Sequence, residues 1–122
     1  MATAAVQVLE PYSGLARVPF LRECRLEQHG HDRPARMFNL SALGTYLVGD
    51  PIPRVGECFR LSFCLPDAES LTVDAVVMWQ NDGPLTPGLP PGCGLRFLAL
   101  AARDLDRLHT FVKAYTTHLS YS

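Results

Sequence analysis

The sequence predicts a mainly β protein, a six-stranded antiparallel barrel with one C-terminal α-helix. Three observations lead there. From Arg17 to Leu100 the chain is a series of short runs of β-forming residues broken by Gly, Pro, Asn and Asp. Two of those runs alternate apolar and polar residues, the mark of a strand with one buried face. After Leu100 the period changes, and Leu105, Leu108, Phe111, Val112, Tyr115 and Leu119 fall at helical spacing. The same pattern also allows a two-layer sandwich.

In order along the chain, residues 1–12 read as an Ala-rich lead-in and residues 13–119 as one domain. In the first strand Val18, Phe20, Arg22, Cys24 and Leu26 share one face. Gln28 to Pro34 holds His, Gly, Asp and Pro and reads as a turn. Arg36 to Leu40 and Thr45 to Val48 are short strands around the Asn39–Gly44 segment, and Gly49 to Gly56, with Pro51 and Pro53, is a loop. Glu57 to Leu65 carries the strongest signal, with Phe59, Leu61, Phe63 and Leu65 alternating against Cys58, Arg60, Ser62 and Cys64. After a turn at Pro66 to Ser70, Leu71 to Gln80 repeats the pattern with Val73, Ala75, Val77 and Trp79 inward, which pairs the two as a hairpin. Asn81-Asp82-Gly83 ends that strand, residues 83–92 form a Pro/Gly-rich loop, and Leu95 to Leu100 is the last strand. A helix over 103–119 follows; early Asp104 and Asp106 and late Lys113 and His118 suit its dipole.

With 122 residues, 48% apolar and 19% charged, and a formal net charge of -1, the chain has room for one domain. This composition argues against a disordered tail, a membrane span and a nucleic-acid coat. No apolar run approaches the roughly 18 to 20 residues that a spanning helix needs. Met1 to Val8 carries no Lys or Arg for a signal peptide, so the expected location is cytoplasmic. Cys24, Cys58, Cys64 and Cys93 are then expected as free thiols, and their spacing fits no zinc site. The His29-Gly30-His31-Asp32 cluster lacks a third spaced ligand and reads as a turn. Ser41 lacks a nucleophile elbow, a Cys paired with His109 or His118 has no further support, and nothing resembles a phosphate-binding loop or a dinucleotide fingerprint. The residues therefore point away from catalysis and from metal.

Asn39-x-Ser41-x-x-Gly44 followed by Thr45-Tyr46-Leu47, Val55-Gly56 opening the long strand, Val76-Val77-Met78-Trp79 and Gly94-Leu95-Arg96-Phe97 stand in an order that resembles the PilZ domain family of bacterial cyclic di-GMP receptors. The resemblance spans Ser13 to Val112. It implies a PilZ-type barrel and a ligand site in two halves, an Arg-x-x-x-Arg pair before the first strand and an Asp/Asn-x-Ser-x-x-Gly turn after the second. Asn39, Ser41 and Gly44 match the second half. Asn and Ser can hydrogen-bond a guanine edge and Gly permits the tight turn, though these residue types favour turns without any ligand.

In the first half Arg17, before Val18-Pro19, matches the second arginine, and Ser13 stands where the first would be. Each such guanidinium can grip phosphate in a bidentate pair and stack on a base. Losing one costs on the order of 1.5 to 3 kcal/mol, roughly ten- to a hundredfold in affinity. Arg22 lies about 16 Å from Arg17 along an extended strand and on its opposite face, which leaves Arg33 or Arg36, on the approach to Asn39, as the better replacement. Residues 17–36 hold five Arg against three acids, a modest excess that suits an anion. The implied ligand set is Arg17, Arg36, Asn39, Ser41 and Gly44, with cyclic di-GMP as ligand and no cofactor.

Two functions follow. The missing arginine favours a non-enzymatic signalling adaptor that works through another protein, with motility or pilus control among the outputs the family implies and cyclic di-GMP binding weak or lost. The alternative is a true receptor that switches a partner through Arg17, Asn39 and Ser41. The adaptor would dock through the 83–92 loop, the Arg33 to Arg36 region or the outer face of the helix, and outward Val76 and Met78 suit either a dimer or cover by the helix. Neither reading involves a nucleic-acid polymer or membrane insertion.

Overall fold

The computed structural model describes residues 7–8, 16–49, 51–66, 69–83 and 88–120. The sequence readings at Ser13, 84–87 and the Leu119 and His118 side chains lie outside what it describes. Seven strands and one helix follow in order: β1 (Gln7–Val8), β2 (Ala16–Gln28), β3 (His31–Leu40), β4 (Gly44–Val48), β5 (Cys58–Cys64), β6 (Ser70–Asn81), β7 (Gly92–Leu98) and α1 (Ala102–Ser120). All pairings are antiparallel, in the order β1-β2-β3-β4-β7-β6-β5. A further β2–β5 pairing over Arg25–Glu27 and Arg60–Ser62 closes β2 to β7 into a six-stranded barrel. Closure removes the open sheet edges that a sandwich would leave.

Alternation places the core as the sequence indicates. Val18, Phe20, Cys24 and Leu26 of β2, Phe59, Leu61 and Phe63 of β5 and Val73, Ala75 and Val77 of β6 are buried. The helix caps one end of the barrel: Leu108 is 0% exposed, and Phe111 meets the Phe20 ring at 5.5 Å. Fully burying a Leu or Phe side chain contributes about 1.5 to 3 kcal/mol, so the apolar stripe of α1 secures it. At its start, Arg107 Nη2 donates to the Glu69 carbonyl oxygen at 3.2 Å and Arg103 lies 3.3 Å from the Glu69 carboxylate.

Four local expectations are corrected. The turn predicted over Gln28 to Pro34 is only His29-Gly30, with φ of 55° and 80°. Two consecutive positive φ values match the right-handed twist of a tight hairpin, so β3 begins at His31. The last strand is Gly92–Leu98, which takes Gly92 out of the predicted loop and leaves Ala99 at φ 49° beyond the strand. Arg22 is exposed although it was placed on the apolar face, because a bulge between Pro19 and Arg22 disturbs the ladder there. Trp79, expected inward, is 42% exposed. A register shift between Val77 and Trp79 breaks the alternation and puts the indole over Gly94, where any Cβ would strike its Nε1. Met78 is 45% exposed, so the helix does not cover it.

The four thiols are free and divide into two classes. Burial pushes Cys24 and Cys93 up to about 12, whereas Cys58 and Cys64 are exposed. An aromatic disulfide reagent at pH 8 is expected to modify Cys58 and Cys64 in the native protein, and Cys24 and Cys93 only after urea is added. Four equally fast thiols would contradict the burial. Gly44 is tied just as directly to packing, since a Cβ there would drive into the Leu95 carbonyl oxygen of the adjacent strand. Urea denaturation of Gly44→Ala is expected to show a loss of about 1 to 3 kcal/mol.

Candidate functional site

A bulge decides where the site faces. On β3, Met37 pairs with Leu47 and Asn39 pairs with Tyr46, so Phe38 is an extra residue with no opposite number on β4. Strict alternation from buried Met37 would send Asn39 into the barrel. The extra residue turns it to the outer face, opposite Tyr46, and returns Leu40 to the core.

On that face Asn39 Oδ1 accepts two hydrogen bonds, one from Arg17 Nη1 at 2.9 Å and one from the Tyr46 backbone N–H at 3.0 Å. Both partners are donors, which fixes the carboxamide with its oxygen toward them. The Asn39 backbone carbonyl in turn accepts from Thr45 Oγ1. Arg17 is 8% exposed, so its guanidinium lies against the protein at the start of β2.

Ser41 and Gly44 shape the β3–β4 turn. Ser41 N–H donates to the Gly44 carbonyl at 2.9 Å, while Ser41 Oγ accepts from the N–H groups of Leu43 and Gly44 at 3.2 Å each. Ser41 Oγ also donates to the Gly44 carbonyl at 3.3 Å. These contacts spend the hydroxyl on the turn, and Gly44 lets β4 approach β7. Arg36 is exposed, opposite Val48 of β4 and Glu23 of β2. Val48 and Tyr46 lie two residues apart on one face of β4, so Arg36 shares the outer face with Asn39 at roughly 7 Å backbone spacing. The fold thus brings Arg17 and Asn39 into contact, places Arg36 beside them, and sets Ser41 and Gly44 in the adjoining turn.

The sequence reading missed Tyr46. Its ring stands between Phe38, at 6.1 Å, and Trp79, at 5.3 Å. Its hydroxyl donates to the Pro90 carbonyl at 2.6 Å and accepts from Asn81 Nδ2 at 3.3 Å. Burial pushes the phenol pKa upward. The signal was present in Tyr46 beside the motif, but the alternation gave no reason to aim it outward. Among the described residues no group of three or more His, Cys, Asp or Glu side chains stands as a metal centre, and no helix is long and apolar enough to cross a membrane.

A closed six-stranded antiparallel barrel with a terminal helix and an Asn-x-Ser-x-x-Gly turn facing outward at β3–β4 defines a PilZ domain, and the chain belongs to that family: the PilZ domain model matches residues 16–114. Solved structures agree on the fold. The inhibitor of motility MotI/DgrA of Bacillus subtilis superposes with a TM-score of 0.71 at 19% identity, over 85% of this chain and 51% of its own. The PilZ domain of YcgR from Escherichia coli with c-di-GMP gives 0.65 at 11% identity, over 88% of this chain and 95% of that one. YcgR in complex with c-di-GMP gives 0.70 at 13% identity, over 88% of this chain and 47% of that one. The chain therefore spans about half the length of MotI and of the longer YcgR chain. No curated protein matches it in sequence.

Asn39→Leu keeps the side-chain size but removes the acceptor from both Arg17 and the Tyr46 N–H. Urea denaturation is expected to show a loss of about 2 to 4 kcal/mol, while Asn39→Asp, which keeps an acceptor, stays within about 1 kcal/mol of the parent. Equal losses in the two variants would show that the acceptor is not what matters.

Proposed function

We propose that this protein is a non-enzymatic signalling adaptor of the PilZ type that acts through contacts with another protein, with cyclic di-GMP binding weak or lost. The observation that carries the reading is Arg17, the arginine of the motif that is present, lying 8% exposed with Nη1 bonded to Asn39 Oδ1. So little of that guanidinium is exposed that a phosphate meets only part of its five N–H donors. Ser13, in place of the partner arginine, supplies no second cation to offset this. Ser41 Oγ is likewise engaged in its own turn. Control of motility fits this reading by analogy with the inhibitor of motility of Bacillus subtilis, and a cytoplasmic location and pilus control belong to the same reading.

The receptor reading has one observation in its favour: Arg36 shares the outer face with Asn39, where it could stand in for the missing arginine.

Calorimetric titration with cyclic di-GMP separates the two readings. The adaptor is expected to give no saturable heat up to about 1 mM, near -4 kcal/mol, with Ser13→Arg bringing binding into the micromolar range. Micromolar binding by the parent, lost in Arg17→Ala, would establish the receptor instead, and loss in Arg36→Ala as well would identify the replacement cation.

A further inference from the structure

Tyr46 joins two parts of the molecule that are far apart in sequence. Its backbone N–H donates to the Asn39 side chain at 3.0 Å, beside the shift in register at Phe38. Its hydroxyl is held by the far side of the β6–β7 connection: Pro90 accepts from it at 2.6 Å, and Asn81 Nδ2 reaches both that hydroxyl, at 3.3 Å, and the Leu89 carbonyl, at 3.4 Å. Between the two ends the ring is wedged against Phe38 and Trp79, so it has little freedom to absorb a shift of its own backbone. The raised phenol pKa keeps the proton that bonds Pro90.

We infer that Tyr46 couples the Arg17–Asn39 contact to the Gly88–Pro91 segment of the β6–β7 connection, so that anything drawing the Asn39 carboxamide off the Tyr46 N–H also loosens that segment. Release of Asn39 takes that side-chain acceptor from the N–H of a residue only 2% exposed. β4 then adjusts at that position, the ring tips between its two aromatic neighbours, and the hydroxyl leaves Pro90. The coupling is reciprocal, so freeing the segment must in turn weaken the hold on the Tyr46 N–H. It requires no ligand and stands whether or not the site takes cyclic di-GMP. For an adaptor it means that the outer-face site and the Pro-rich connection respond together to a partner.

The test is Tyr46→Phe, which keeps the ring in its wedge and deletes only the hydroxyl. Nitrogen-15 relaxation at Gly88 and Leu89 reads the segment, and amide hydrogen exchange at position 46 reads the bond to Asn39. The parent is expected to be ordered at Gly88 and Leu89. In Tyr46→Phe their order parameters fall below about 0.6. Exchange at position 46 accelerates about tenfold, while β5 amides such as Leu61 keep the parent rates. In the reverse direction Asn39→Ser, too short to reach the Tyr46 N–H, lowers the order at Gly88 and Leu89. Loosening of the segment with protection at position 46 unchanged would overturn the coupling. So would an unchanged segment in either variant, or a parent already flexible at Gly88 and Leu89.

Discussion

One oxygen ties three strands of this barrel together beside the β3–β4 turn. Asn39 Oδ1, on β3, takes a hydrogen bond from Arg17 at the start of β2 and another from the Tyr46 backbone on β4. The second bond ties β3 to β4 directly beside the bulge at Phe38, where the register of the two strands shifts. Losing a hydrogen-bond partner at a buried backbone N–H costs up to about 1 to 3 kcal/mol, so the Asn39 side chain steadies the bulge. Once Asn39 is fixed, Tyr46 opposite it is fixed, and with it the packing of Phe38 and Trp79 on the outer face.

The barrel interior is filled by side chains from all six strands and capped by α1. On the outer face the glycines are as informative as the side chains. Gly94 has no Cβ, so Trp79 can lie over β7; Gly44 has none, so the turn after Asn39 can close on β7. Both serve close approach of packed groups, and the motif glycine thus has a structural duty independent of any ligand. The same holds for Ser41, whose hydroxyl completes its own turn. Asn39, Ser41 and Gly44 therefore serve the folding of the β3–β4 turn whether or not a ligand binds beside it.

Most of the fold was legible because strand alternation and helix spacing are local properties of the chain. Phe59, Leu61 and Phe63 had to face one way in β5, and Leu108 and Val112 had to share the buried stripe of α1. The site was legible only as a list of names. Arg17 and Asn39 were selected separately, 22 positions apart, and nothing local says that one donates to the other. Arg36 was chosen for its nearness to Asn39 along the chain, and it shares the outer face only because the extra residue at Phe38 changes the parity between them. Trp79 was misplaced for the related reason that a shift after Val77 reverses the alternation on which the expectation rested.

By itself the sequence determined the architecture and the residues available to a site, since both depend on periodicity and residue type. Tertiary structure decided which way Asn39, Tyr46 and Trp79 face and what each of them touches. A bulge is settled by the fit of two strands to a third across the closed barrel, and a change of one residue in register moves a side chain from the core to the surface.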